Sequence, residues 1–393
     1  MSITTADRMN SIQPSVTMAL NAKAKAMSAE GHDVINLTVG EPDFDTPEVI
    51  GKAAVQAIKH GFTRYTAADG IPELKQAIIN KLKEDQNLDY SPQEIIANCG
   101  AKHTLYNIVM ATINPGDEAI IPAPYWVSYP AMVAVAGGKS ITIPTDFDSC
   151  FKISADSLRA AMTDKTKLVF LNSPSNPTGM VYSADELKAL SEVLLDFPNA
   201  LIITDDIYEY LCFGDHQFTH LLSVCPELKE RTMIVNGVSK AYAMTGWRLG
   251  YAAGPTNVIG AMKKLQSHST SNPCSITQMA AIEAMKLGKS GISAMINTFG
   301  ERLAAAHAEL AQIPGIRVHP AQGAFYLFPD VSDLIKQLGL SDDVTLCELI
   351  LEKAHVALVP GSAFGLPGYV RVSCAAAEER VIEAIKRVQT LLP

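Results

Sequence analysis

Apolar and polar positions along this chain follow two different periods. Short, largely apolar runs recur from residue 94 onward: EIIAN at 94–98, EAIIP at 118–122, SITIP at 140–144, KLVFLN at 167–172, ALIIT at 200–204 and TMIV at 232–235. The continuous β-branched runs read as buried parallel strands, because a half-solvated strand would alternate instead. Helical stretches lie between them, at residues 47–60, 103–113, 154–162 and 182–196. Strand and helix in alternation predict an α/β core. Upstream, residues 10–30 read as a helix with Met18, Ala22, Ala26 and Met27 on one stripe, followed by the strand VINLTV. From about residue 290 the pattern changes. A long amphipathic helix over 291–312 and the short strands IRVH, GAFYLF, VALVP and YVRVS predict a separate α+β unit.

The 393 residues suffice for two domains, and 48% hydrophobic against 19% charged residues is a globular balance rather than a disordered one. The net charge of −9, without a Lys/Arg-rich block, argues against a nucleic-acid or anionic-membrane partner. The first residues hold no apolar core of signal-peptide length and no later run approaches a membrane span, so a cytoplasmic protein is expected. Seven scattered cysteines without a C-x-x-C pair read as reduced thiols, and nothing shows metal-ligand spacing.

Chemistry concentrates where strands end. In VNGVSKAYAMTGWRLG (235–250) Lys240 sits among Val238, Ala241, Tyr242 and Ala243. Desolvation there lowers an ammonium pKa, which a Schiff-base lysine needs. Asp205 closes the run ALIIT, at the strand end where α/β sheets hold ligands. Gly100, Ala101 and Lys102 stand between a strand and a helix, whose first free N–H groups suit a single phosphate. The turn SPSNPTG (173–179) brackets Asn176 with prolines, and its X-Pro bonds are candidates for cis geometry. Arg371, inside YVRVS, has no carboxylate beside it in sequence, so a ligand carboxylate is the partner expected for it.

Taken in order, GEPDF (40–44), SPSNPTG, TDDIY (204–208), SK followed by WRLG, and YVRVS resemble the class I/II, fold-type I pyridoxal-phosphate aminotransferases, in their bacterial-type aspartate aminotransferase branch. The resemblance runs from about residue 8 to the C-terminus. It implies a large cofactor domain with a mainly parallel seven-stranded sheet sandwiched by helices, and a smaller α+β domain. The latter combines an N-terminal segment, 1–45, with residues 291–393, leaving 46–290 as the pyridoxal-phosphate domain. It also implies a homodimer with shared active sites, amino-acid and 2-oxo-acid substrates, and transfer between L-aspartate and 2-oxoglutarate.

The same resemblance assigns roles. Lys240 is the Schiff-base lysine and the catalytic acid and base. Asp205 faces the pyridine nitrogen, Asn176 and Tyr208 donate to the phenolic oxygen, and Trp126 stacks on the ring. Gly100, Ala101, Lys102, Ser239, Arg248 and, from the other subunit, Tyr65 surround the phosphate. Gly40, Trp126, Asn176 and Arg371 contact the substrate, whose side-chain carboxylate falls to Lys102 and Thr17. Aromatic donors, alanine and prephenate are alternatives on this scaffold, and prephenate ranks lower because Gln13 stands where several users of it carry a basic residue. A β-lyase is a further alternative. A dehydrogenase is disfavoured because no G-x-G-x-x-G follows a strand, and a fused DNA-binding regulator by the lack of extra length or a basic patch.

Overall fold

The computed structural model describes residues 3–12 and 16–391, without the side chains of Val16 and Thr17. Its strands are β1 (Ile35–Asn36), β2 (Ile95–Asn98), β3 (Glu118–Pro122), β4 (Lys139–Ile143), β5 (Thr166–Asn172), β6 (Leu201–Asp205), β7 (Thr232–Gly237), β8 (Gly250–Ala253), β9 (Tyr326–Leu327), β10 (Val356–Ala357), β11 (Val359–Pro360) and β12 (Val370–Ser373). Seven of them form one sheet in the order β2-β8-β7-β6-β5-β3-β4. β3 to β7 run parallel, and only β8 opposes its neighbours β2 and β7.

Side-chain alternation splits this sheet between two cores. Val169, Leu171, Ile202 and Ile234 face one side, where helices Pro72–Gln86, Ala184–Leu195 and Ser275–Leu287 cover them. Leu168, Phe170, Ile203 and Met233 face the other, under helices Ala101–Thr112 and Thr256–Ser267. Both faces are dry, which explains the unbroken apolar runs. The result is the three-layer α/β sandwich expected from the sequence.

A further core joins Leu20, Ala24, Ile35 and Leu37 to Leu303, Leu346, Val372, Ile385 and Val388. Its strands make the antiparallel sheet β11-β12-β9 and the parallel pair β1-β10. Here several expectations need correction. The first helix, Val16–Ala29, buries Leu20 and Ala24, four residues apart, while Met18, Ala22 and Ala26 are exposed. Alanine fits either environment, so an Ala-rich helix does not declare its buried face. IRVH is no strand: Arg317 makes an isolated bridge with Asp330, tied by their side chains at 2.5 Å. VALVP breaks at Leu358, because β10 pairs with β1 and β11 with β12. Among the described residues no helix is long and apolar enough to cross a membrane.

Behind the sheet edge, Lys81 is buried against Glu209 and reaches Asp85 at 2.9 Å. Asn236 donates to Glu209 at 2.7 Å and Tyr210 to Asp85 at 2.5 Å. This cluster ties the chain after β6 to the end of β7 and to helix Pro72–Gln86. Removing one member strands a buried charge. Glu209→Ala is expected to cost roughly 3–5 kcal/mol in denaturant unfolding, whereas the paired change Lys81→Met with Glu209→Leu costs far less.

Candidate active site

All seven strands of the large sheet present an end at one edge, β4 beside β3 at its margin. β2, β3, β5, β6 and β7 finish there, and β8, running the other way, begins there. Asn172 and Asp205 are in register, as are Asp205 and Val235. Gly250 is paired with both Asn98 and Gly237. The segments continuing from these ends carry most of the residues expected to act.

Asp205 is buried. Its Oδ2 accepts from the Tyr129 hydroxyl at 2.7 Å, and Oδ1 accepts from the backbone N–H of Ile207 at 3.4 Å. Burial pushes its pKa from 3.8 up to about 6; the Tyr129 bond works against this and the Asp206 carboxylate adds to it. A carboxylate held dry in this way is matched by a cationic ring nitrogen.

Lys240 follows β7 by three residues, and its Nζ donates to the Gly40 carbonyl at 2.5 Å. Burial, and then the charge of Arg371, bring its pKa down to about 8. An amine in that range passes readily between base and acid near neutral pH. Ser239, beside it, is buried.

An anion cup forms from the other side. Gly100 takes φ 88° and spends its own N–H on the Asn98 carbonyl at 2.8 Å, so the free donors are the first helical N–H groups, at Ala101 and Lys102. A Cβ at Gly100 would overlap the Arg248 guanidinium, and one at Gly250 would overlap the Ala101 amide. Arg248 itself sits in the left-handed region at φ 58°, anchored on the Thr245 carbonyl at 2.9 Å. Burial and the Arg248 charge lower the Lys102 pKa, and the Lys102 Nζ lies 4.8 Å from the Trp126 ring.

Arg371 is buried in β12. Nη1 donates to Asn176 Oδ1 at 3.0 Å and Nη2 to the Thr38 carbonyl at 2.6 Å, while Nε has no partner among the described residues. Its guanidinium rests 4.5 Å from the Tyr326 ring and 5.1 Å from that of Phe364. Accepting from Arg371 fixes the Asn176 amide, leaving its NH2 group to donate elsewhere. Both X-Pro bonds flanking Asn176 in this turn, Ser173-Pro174 and Asn176-Pro177, are cis. The hydroxyl of Tyr208 is 2.9 Å from that of Tyr326.

One chain therefore assembles Lys240, Asp205, Asn176, Tyr208, Trp126, Arg371, Gly40 and the cup. Tyr65 stands apart, 91% exposed. The side chain of Thr17, and Gln13, lie outside the described residues. Tyr129, Thr38 and Tyr326 join the cluster without having been assigned by sequence. Tyr129 stands three residues after Trp126 and Tyr326 lies within the predicted strand GAFYLF, which was the available signal; Thr38 acts through its carbonyl, which no side-chain pattern reveals.

The profile of aminotransferase class I and II matches residues 32–388. The chain belongs to the class I and II aminotransferases. It is 50% identical over 391 residues to the aspartate/prephenate aminotransferase of Nitrosomonas europaea, covering 98% of each chain. To the aspartate aminotransferase of Bacillus subtilis it is 46% identical over 384 residues, again with 98% of each covered. The fold superposes on the aspartate aminotransferase from Rhizobium meliloti with a TM-score of 0.96 at 43% identity, covering 99% and 98% of the two chains. On that from Thermus thermophilus with maleate the TM-score is 0.93 at 38% identity, with both chains covered in full.

This aminotransferase is an enzyme that works with pyridoxal 5'-phosphate. The residues present would suit that group: a dry carboxylate, a desolvated lysine, and a cationic cup in which Arg248 comes up to position 100 because no Cβ stands there.

The Asp205 pKa has a measurable consequence in the cofactor-free protein. Its folded value lies above the unfolded one, so the folded chain holds this proton between about 4 and 6 and loses stability as the pH rises through that window. At about 1.4 kcal/mol per pH unit, the ionised carboxylate costs about 3 kcal/mol at neutral pH. Cofactor-free Asp205→Asn is therefore expected to outlast the parent in thermal unfolding at pH 7, the gap closing toward pH 4.

Proposed function

We propose that this aminotransferase moves the α-amino group between L-aspartate and 2-oxoglutarate, giving oxaloacetate and L-glutamate. One observation carries the choice of a dicarboxylate. Besides Lys240 and the Arg248 of the cup, two cationic side chains face the cluster, Arg371 beside Asn176 and Lys102 over Trp126, and neither has a carboxylate partner among the described residues. A substrate with carboxylates at both ends supplies both partners. The names of the Bacillus subtilis and Nitrosomonas europaea relatives agree with aspartate as a donor. The second of those names also keeps prephenate as an additional amino acceptor.

Pyridoxal phosphate, when bound, supplies an electron sink conjugated to the substrate Cα. The chain does the rest. Arg371, with the backbone at Gly40, holds the α-carboxylate and so orients the Cα–H bond. Lys240, its basicity reduced by burial, takes that proton and returns it at the far end of the transfer. Asp205, braced by Tyr129, stays ionised opposite the ring nitrogen and keeps it protonated. The NH2 group of Asn176 and the hydroxyl of Tyr208 donate to the phenolic oxygen, and Trp126 covers the ring. The N–H groups of Ala101 and Lys102, with Ser239 and Arg248, hold the phosphate, and Gly100, lacking a Cβ, lets the Arg248 guanidinium come up beside them.

Tyr65 completes the phosphate site from a second copy in a homodimer; a tyrosine 91% exposed in the single chain supports that reading. Thr17 assists Lys102 at the distal carboxylate. The separate cores support a division of the chain near residues 45 and 290, the N-terminal segment going with the C-terminal unit.

Absorbance of the purified enzyme tests the reaction. The visible band of the lysine-bound cofactor is expected to bleach with L-aspartate alone and to return with 2-oxoglutarate; a band indifferent to aspartate sinks the donor assignment. Lys102→Ser is expected to lower kcat/KM for aspartate roughly 10- to 100-fold, the worth of a charge-assisted hydrogen bond, with little change for alanine. Equal losses for both donors would remove Lys102 from the distal site.

A further inference from the structure

Tyr326 opens β9, in register with Ser373 of β12, two residues beyond Arg371. Its side chain is fully buried and touches three parts of the site at once. Its hydroxyl is 2.9 Å from that of Tyr208. Its ring carries the Arg371 guanidinium on one face at 4.5 Å. A Cβ at Gly40, whose carbonyl receives Lys240, would lie 2.7 Å from its hydroxyl oxygen. The position is pinned from behind as well, since a Cβ at Gly179 would come within 2.8 Å of the Tyr326 carbonyl.

We propose that Tyr326 is a positioning residue: it completes a hydrogen-bond relay through Tyr208 to the cofactor's phenolic oxygen and couples that relay to carboxylate capture at Arg371. The inference rests on the reading of Tyr208 as a donor to that oxygen. A phenol has one proton to give. If Tyr208 spends its proton on the cofactor, the bond between the two hydroxyls must run from Tyr326 to Tyr208. Each bond in such a chain polarises the next, so Tyr326 strengthens the donation made by Tyr208. Burial raises the pKa of both phenols, which keeps them protonated as donors, and the Arg371 charge pulls Tyr326 the other way.

That opposition is the coupling. A bare guanidinium on the ring face draws electron density from the phenol and makes its O–H a better donor. A substrate carboxylate seated on Arg371 offsets the charge and weakens the relay. With its anionic form less stabilised, the phenolic oxygen and the Lys240 nitrogen would together give up the proton they share only at higher pH, so the protonated pair would persist when substrate is seated.

The readout is the pH midpoint at which the visible absorption of the bound cofactor changes. Tyr326→Phe keeps the ring under Arg371 and removes only the hydroxyl; its midpoint is expected to rise by roughly half a pH unit. Tyr208→Phe should rise further, and the double variant no further than Tyr208→Phe alone. Saturating succinate should raise the midpoint of the parent more than that of Tyr326→Phe. Tyr326→Leu, which also takes the ring away from Arg371, should raise KM for aspartate several-fold, while Tyr326→Phe leaves KM within about two-fold. A midpoint unmoved in Tyr326→Phe but raised in Tyr208→Phe overturns the relay alone, as do additive shifts in the double variant. A midpoint unmoved in both overturns the reading of Tyr208, and the relay with it. An equal response to succinate in parent and Tyr326→Phe, or equal KM in the Phe and Leu variants, removes the coupling to Arg371.

Discussion

Gly250 is in register with Asn98 on one side and Gly237 on the other, and a carbon added to it would overlap the amide of Ala101. This close approach sets where everything else in the site can stand. It brings the start of helix Ala101–Thr112 down onto the sheet edge, two residues from Arg248 and ten from Lys240 along the strand and turn. The adjoining registers then line up Asn172, Asp205 and Val235. Since the strands run parallel with β8 reversed between β2 and β7, their functional ends meet without any long loop being ordered for the purpose.

Charge is handled in two ways around that edge. Behind it, buried charges are satisfied within the chain: Lys81 by Glu209 and Asp85, and Asp206 by His220 at 3.1 Å. The His220 Nδ1 accepts from the backbone N–H of Leu222, which places the ring proton on Nε2, toward Asp206. At the edge, charges are left incomplete. Among the described residues Asp205 has hydrogen bonds but no bonded cation and the Nε of Arg371 has no partner, while Lys240 is desolvated against a carbonyl. Burying such groups is costly unless something arrives to pair with them. The contrast between the satisfied and the incomplete clusters marks the site as clearly as any motif does.

Legibility in the sequence follows the same division. The parallel strands were readable because both faces are dry and the runs are uniformly apolar. Lys240, Asp205 and Arg371 stood out because each is a charge inside such a run, at its end or shortly beyond it. The N-terminal helix was not readable in detail: its alanines gave Leu20 and Ala24 no contrast with Ala22 and Ala26. IRVH carries a strand-like composition, yet only Arg317 found a bridge partner, so composition outran pairing.

The sequence by itself determined the α/β core, the order of its strands along the chain and the chemical types gathered at their ends, because these depend on local period and residue identity. The tertiary structure alone decided the sheet order, with β8 inserted between β2 and β7, since pairing across the chain leaves no local signature. It alone decided that Tyr129 braces Asp205 across 76 positions and that Tyr326 meets Tyr208 across 118. A tyrosine looks the same in sequence whether its hydroxyl faces water or another side chain. Only packing, which brings distant segments within hydrogen-bonding reach, settles which of the two it is.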